Sequence, residues 1–551
     1  MIRKHVPPAL LCCLVISFGP AALGDDWPTY RHDVRRSGIS SEQLKPPLTE
    51  RWAFTPTHPP APAWGDPQPK PVEHVLELPR LRFDDAFHVA VVEGMVYFGS
   101  SADSKVYAMD LRTAAPRWEF CTDGPVRLAP TVWKRKVYVG SDDGCVYCLD
   151  ARDGRLIWKF RAAPADQRIL GNGKMISVWP VRTGVAIDDG TAYFAAGVFP
   201  AEGLYLYAVD AADGKLVWRN DTYADGGQAG ISPQGNLVAS SDRLFVPACR
   251  TMPAGFDRKT GRFLFHRNLS WRLTGLFGGT SYQLAGGILF GGTEQVLGTN
   301  ESTGQLAVAE LLPANKPSTG ARQLIVGQDM LYLLTGKELI ASDRKSWIEI
   351  RGRMTQLKLR VSSLGRQRSV LGQKEREFQK RREAQETPGG KLPPRTGAHE
   401  AVLKQIAEVT KQINQANAEY KELAKRQDEP TRWRAPFDGS DSLIMAEGML
   451  LAGGADVVTA FEAAGGKPLW SGKVNGRARG LAVANGHVVV STDKGGIHCF
   501  VSGQGGAAKE VKPETADAPF PKDMPTEAHE KLAARLVGKS GVRRGYALIL
   551  G

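Results

Sequence analysis

One pattern recurs along the chain and constrains its fold more than any other feature: a small residue, any residue, an Asp, a short turn ending in Gly, then a basic residue and a Trp. The clearest copies are Cys148-Leu-Asp150-Ala-Arg-Asp153-Gly154-Arg155-Leu-Ile-Trp158 and Ala208-Val-Asp210-Ala-Ala-Asp213-Gly214-Lys215-Leu-Val-Trp218. Weaker copies centre on Asp110 with Trp118, Asp257 with Gly261, Asn300 with Gly304 and Glu462 with Trp470, and degenerate ones on Asp343 and Phe500. Neighbouring units are mostly about 40 residues apart, the length of one four-stranded unit.

In the second unit the strands read as Leu128–Trp133, Lys136–Ser141, Cys145–Asp150 and Arg155–Phe160, with Gly-containing turns at Asp142-Asp143-Gly144 and Arg152-Asp153-Gly154. Such a sheet buries its apolar faces only against neighbours. The expected fold is therefore all-β: an eight-bladed β-propeller of four-stranded blades over residues 25–502, each Trp packing between blades. The last unit has a third strand, Gly496–Val501, and then Ser502-Gly-Gln-Gly-Gly506 in place of an outer strand. Leu48-Thr-Glu-Arg51-Trp52-Ala-Phe54 reads as the missing strand and is expected to close the ring.

The tandem Asp…Gly-Lys/Arg-x-x-Trp units resemble the pyrroloquinoline-quinone-like repeats of quinoprotein dehydrogenases. They equally resemble those of the propeller lipoprotein of the outer-membrane β-barrel assembly machinery. Trp27-Pro-Thr-Tyr30-Arg31-His32-Asp33, followed by Arg36-Ser37-Gly38, looks like the opening of that bacterial repeat family. The resemblance implies a fold; function lives in the site.

After Asp343 the repeat breaks off, and its outer strand resumes at Arg432-Trp433-Arg434. Between them Trp347, Ile350, Met354, Leu357, Val361, Leu364, Arg368, Leu371, Glu375 and Phe378 recur at 3,4 spacing, as do Leu403, Ile406, Thr410, Ile413, Asn417, Tyr420 and Ala424. The pattern predicts an antiparallel coiled-coil hairpin, 345–431, inserted in blade six and separable from it. The net charge is +13. Residues 344–434 carry 22 Lys and Arg against 11 Asp and Glu, so nearly all of the excess belongs to the insertion. Its basic residues either keep an exposed hairpin soluble or dock it on an acidic partner, a polyanion or an anionic membrane surface; nucleic acid is not an expected partner.

Arg3, Lys4 and His5, an apolar run to Leu23 and the Ala22-Leu23-Gly24 end read as a signal peptide, 1–24. The expected location is the periplasm or cell envelope, for a protein not integral to the membrane. Cys145 and Cys148 form a CxxC inside a strand, where residues three apart face opposite sides, so no redox or metal pair is expected. A linker, 503–526, is followed by a helix, Glu527–Lys539, and a strand, Gly545–Gly551. Together 527–551 resemble the start of a class I S-adenosylmethionine-dependent methyltransferase. That cofactor would be held only by a longer gene product.

Family resemblance to the dehydrogenases implies a quinone, Ca²⁺ and a carboxylate base, typically under an adjacent Cys-Cys pair. The only such pair is Cys12-Cys13, inside the signal. No nucleophile elbow, zinc helix or P-loop is present. The expectation is a non-catalytic scaffold without metal or cofactor that binds a protein or ligand; a quinoprotein-like dehydrogenase is the alternative. Loops on a rigid frame often carry binding. The irregular stretches Arg161–Gly184 and Gln228–Gln234, and the one that holds Arg250, nominate Arg168, Asn172, Trp179, Arg182, Gln234 and Arg250, with Lys174 beside them.

Overall fold

The computed structural model describes residues 25–65, 71–72, 75–76, 83–198, 200–222, 231–248, 251–267, 281–291, 296–309, 321–386, 390, 392–503, 508–513 and 524–541. The expected signal peptide and the Gly545–Gly551 segment lie outside these. The chain is mostly β, and among the described residues six antiparallel four-stranded sheets follow one another in sequence. In the second, the strands are Thr131–Trp133, Lys136–Gly140, Cys145–Asp150 and Leu156–Arg161, within a few residues of the sequence reading. The first begins at Val89–Val92, the third at Ala186–Asp188, the fourth at Val238–Ala239, the fifth at Tyr282–Ala285 and the sixth at Gln323–Val326.

A seven-stranded sheet follows, in the order Ser442–Ala446, Met449–Glu462, Pro468–Ala484, His487–Thr492, Ile497–Ser502, Leu48–Phe54 and Lys509–Val511. Leu48–Phe54 runs antiparallel to Ile497–Ser502 with Trp52 opposite Cys499, the pairing that the orphan Trp suggested. The stretch read as a linker is partly a strand: Lys509–Val511 adds in parallel to the far side of Leu48–Phe54. It covers backbone groups that would otherwise form a bare sheet edge.

The repeated Trp joins one sheet to the next. Its indole N–H donates to the carbonyl of the residue that follows the turn-forming acid of the neighbouring repeat. Trp118 reaches Ala151 at 3.0 Å, Trp158 reaches Ala211 at 3.2 Å, Trp218 reaches Arg258 at 3.1 Å, and Trp433 reaches Ala463 at 3.1 Å. Trp52 on the closing strand makes the same bond to Leu111 at 2.8 Å. Each bond satisfies a polar group that burial would otherwise leave costly.

The turns explain where the repeat fails. Asp257 Oδ1 accepts from the N–H groups of Lys259 and Thr260, and Gly261 closes the turn at φ +71°. Four residues after Asp343 stands Trp347, a side chain that strongly disfavours a left-handed backbone. The turn does not close; Asp343 instead accepts from Ser346 N and caps helix α1, Arg344–Glu383. Helix α2, Gly397–Lys425, returns along it.

The base of the hairpin is not separate from the sheets, although the heptads suggested that the whole of it would be. Trp347 is 3 % exposed and lies in the core with Phe290, Val308, Leu331 and Leu333, and Thr355 Oγ1 accepts from the backbone N–H of Ala309. The first turns of α1 thus cover the fifth and sixth sheets, where the outer strand Leu306–Ala309 lacks a Trp. Further out, Leu364 and Leu371 pack on Val409 and Ile413, with Ile406 beside them. The buried side of α2 is Val402, Val409, Ile413 and Ala416, one position off the expected Leu403, Thr410 and Asn417. A third helix, Met524–Ser540, covers the expected Glu527–Lys539.

Trp27–Ser40 seals one end of the axis. Trp27 pairs with Val91, and Pro28 O accepts from Val132 N. Val34 O accepts from Ala239 N, Arg35 O from Leu284 N and Gly38 O from Met445 N. One short segment therefore bonds the first strands of five sheets. Arg36, 1 % exposed, donates to Leu237 O at 2.9 Å, and Arg31 donates to Leu324 O at 2.8 Å and to Leu443 O at 3.3 Å. Burial pulls the Arg36 guanidinium down to about 10, so it stays charged at neutral pH, its charge spread over carbonyl dipoles.

Candidate functional site

In an antiparallel four-stranded sheet, the turn between the second and third strands shares an end with the connections that enter and leave the sheet. Those connections are the long ones here, and their charged residues meet around the axis, opposite the Trp27–Ser40 plug. Arg127 donates to Asp84 at 2.6 Å and to Asp142 at 2.7 Å, and Arg182 donates to Asp142 at 3.0 Å. All four side chains are at most 2 % exposed. The next residue, Asp85, turns the other way and pairs with Arg479 at 3.0 Å; Arg479 and Arg477 both hold Asp441, each at 3.0 Å. An alternating arc of carboxylates and guanidiniums results, drawn from the second sheet, the seven-stranded sheet and the connections between sheets.

Burial works against the Asp142 carboxylate, but Arg127 and Arg182 outweigh it and hold its pKa below the usual value. For Asp84 burial wins and raises the pKa, even beside Arg127. Burial likewise raises Asp441, against Arg479 and Arg477. Breaking a buried pair from one side costs about 3–5 kcal/mol, since a charge is left uncompensated. Removing one member of the arc therefore leaves a buried charge without its partner.

Between the arc and the plug lies a cavity of about 40 Å³ lined by Tyr30, Arg31, His88, Gln323, Asp441 and Arg479. Asp441 Oδ2, buried there, has no hydrogen-bond partner. Burial lowers the pKa of His88, favouring the neutral imidazole.

Sequence-nominated residues fall into two groups. Arg182, Trp179 and Gln234 are buried. Arg182 belongs to the arc, with its guanidinium carbon 5.4 Å from the centre of the Trp64 ring, and Trp64 Nε1 donates to Gln234 Oε1 at 2.7 Å. Trp179 Nε1 donates to Glu202 O. Arg168 and Asn172 are exposed on a hairpin, Arg168–Gly171 with Lys174–Ser177. There Arg168 donates to Asp123 O, Asn172 to Pro62 O and Lys174 to Ala102 O. Arg250 lies outside the described residues. Sequence reasoning missed Trp64, Asp84, Asp85, Arg127, Asp142, Asp441 and Arg479, having taken Asp142 for a turn residue. A usable signal was present: Phe83-Asp84-Asp85-Ala86-Phe87 and Val126-Arg127-Leu128 put charges inside apolar runs, which calls for buried partners.

A quinone with a divalent cation does not fit the described donor set. Arg479 lies between Asp85 and Asp441 and already supplies the positive charge that a cation would bring. Among the described residues no three His, Cys, Asp or Glu side chains are placed to hold a metal ion, whereas Ca²⁺ takes about 6–8 oxygen ligands. The axial cavity has room for a few water molecules, far below the roughly 300 Å³ of an organic-ligand pocket.

Comparison with known proteins agrees with this architecture. A polyvinylalcohol dehydrogenase of Sphingopyxis sp. is 28 % identical over 176 residues, covering 28 % of this chain and 26 % of that protein. A 1-butanol dehydrogenase (cytochrome c) of Thauera butanivorans is 26 % identical over 231 residues, covering 37 % and 30 %. The chain thus spans less than a third of either relative. The solved quinohemoprotein alcohol dehydrogenase ADHIIG of Pseudomonas putida matches in fold with a TM-score of 0.53 at 14 % identity, covering 93 % of this chain and 85 % of that one. The model of the PQQ-like repeat family described as outer membrane protein assembly factor BamB matches residues 80–307, 176–346 and 422–509, and with these repeats, joined sheet to sheet by their tryptophans, the chain belongs to that family of PQQ-like β-propeller proteins.

Proposed function

We propose that the protein is an eight-bladed propeller of the cell envelope. On this reading it serves as a non-catalytic scaffold and binds a protein or small ligand on the face that carries the long connections. Eight blades are supported by the first strands, which touch in sequence from Val89–Val92 round to Ser442–Ala446. The ring returns through Pro468–Ala484, which meets both Ser442–Ala446 and Val89–Val92. Each neutralised carboxylate of the axial mouth carries the scaffold reading: Asp84, Asp85, Asp142 and Asp441 are all paired with Arg. A carboxylate held by a guanidinium is poorly suited to ligate a metal. The family's description as an assembly factor supports a protein partner, and the envelope location follows the same relatives. Among the described residues no helix is long and apolar enough to cross a membrane.

A second reading, a quinoprotein-like dehydrogenase, is favoured by the unpaired Asp441 Oδ2 beside His88 and by the dehydrogenase relatives. Reconstitution with pyrroloquinoline quinone and Ca²⁺, followed by dye-linked alcohol oxidation, separates the two. The scaffold reading expects neither a stoichiometric quinone complex nor dye reduction. A stoichiometric complex that oxidises an alcohol, and loses that activity in Asp441→Asn, overturns it.

A further inference from the structure

The excess charge of the insertion sits on one of its two helices. Helix α1 carries thirteen Lys and Arg against four Glu, whereas α2 carries four Lys against four Glu. Where α1 leaves the sheets, Leu359, Arg366, Val370, Lys374 and Arg381 follow at intervals of seven, four, four and seven, which places them along one side of the helix. All five are exposed, Leu359 by 42 % and Val370 by 54 %. This side is turned away from the seam, where Leu364 and Leu371 meet α2. Among the described residues Arg366, Lys374 and Arg381 form no ion pair, whereas Arg353, nearer the sheets, is held by Glu419.

We propose that this side of α1 docks the protein on an anionic phospholipid surface. It extends over about 33 Å, at 1.5 Å per residue. Its cations do not converge on a point, as they would to grip a single carboxylate or phosphate. They are spaced out along a line, with Val370 between the first two, Leu359 ahead of them and a single acid, exposed Glu377, between the last two, which matches a sheet of headgroups over a shallow apolar layer. Leu392, 37 % exposed in the connection to α2, with exposed Arg395 close by, continues the same mixture towards the tip.

Co-sedimentation of the full chain with vesicles tests this. Binding is expected to mixed phosphatidylcholine–phosphatidylglycerol vesicles and not to phosphatidylcholine alone. It should be present at about 0.1 M salt and lost at about 1 M, where charges are screened within ~3 Å. Reversing Arg366, Lys374 and Arg381 to Glu should weaken binding at least about 100-fold, each cation being worth roughly fivefold at such a surface. Leu359→Ser with Val370→Ser should weaken it about tenfold. Lys404→Glu with Lys411→Glu on α2 should retain it, with circular dichroism confirming folded helices throughout. The proposal is overturned if the parent ignores the anionic vesicles, or if the α2 pair matters as much as the α1 triple. It also fails if soluble polyglutamate is bound as tightly as the vesicles, because the partner is then an acidic polymer.

Discussion

Gly154 lies directly against the indole of Trp118: a Cβ built on it would stand 2.6 Å from Trp118 Cε3. Gly154 also has φ +73°, so the position needs Gly twice over, once for the turn and once for the ring. Gly94, at φ +75°, has nothing within 4 Å of a built Cβ. The two sites share a backbone strain and differ only in the ring. Gly94→Ala is expected to cost about 1 kcal/mol, and Gly154→Ala about 2–4 kcal/mol, because overpacking is added. Denaturant unfolding of both variants measures the difference; equal losses would mean that the Gly–Trp stack does not hold the sheets together.

Trp347 is expected to matter more than most of the hairpin that it begins. Trp347→Ala should destabilise the sheets by about 3–5 kcal/mol, as expected for emptying a buried aromatic site. Replacing residues 362–418 by a short Gly/Ser connection should leave the melting temperature of the sheets nearly unchanged, because Leu364, Leu371, Val409 and Ile413, with Val361 and Ile406, form a cluster of their own apart from the sheet clusters. Calorimetry on both variants checks this. A hairpin deletion that unfolds the sheets would show that its outer half is part of their core.

The axial plug should be most stable in mildly acidic solution. His32 sits 3.1 Å from Asp25 and 3.9 Å from Asp33. Burial lowers its pKa, but the two carboxylates prevail and raise it above 6.5. A group with a raised pKa stabilises the fold fully below 6.5, and this is lost as the pH climbs through the higher value. For Asp33, burial is outweighed by His32 and Ser37, and its pKa falls from 3.8 to about 2. Its contribution is present above 3.8 and lost as the pH drops towards 2. The Asp33 carboxylate is 39 % exposed, so screening leaves ~1 kcal/mol. Melting temperature should therefore peak between about pH 4 and 6.5. His32→Gln should flatten the alkaline side, and Asp33→Asn the acid side. A peak that both variants leave unaltered would exclude this pair as its source.

Much of the fold was legible from the chain alone, for local physical reasons. Strands alternate, turns demand Gly after Asp, and an unmatched third strand at Gly496–Val501 together with an orphan Trp52 could pair only with each other. These features depend on neighbours in sequence or on a repeat that states its partner many times over. The break after Asp343 was legible too, because Trp347 occupies the place of the turn Gly.

Only the tertiary structure decided which charges meet. Arg127 and Arg182 come from different connections and Asp142 from a turn, and nothing in their spacing says that both guanidiniums come within 3.0 Å of that one carboxylate. Sequence nominated Arg182 as a binding residue of a loop; burial beside Asp142 makes it part of the arc instead. The motif Trp27–Gly38 was recognisable as a family opening, but its task as an axial plug depends on carbonyls hundreds of residues away, such as Leu324 and Leu443. Periodicity predicted α1 and α2, yet not which side of α2 would be buried: Val402 and Val409 were chosen over Leu403 and Thr410 by the partner helix. A helix pattern specifies an apolar stripe only to within a residue or so, and the side chains opposite settle the rest.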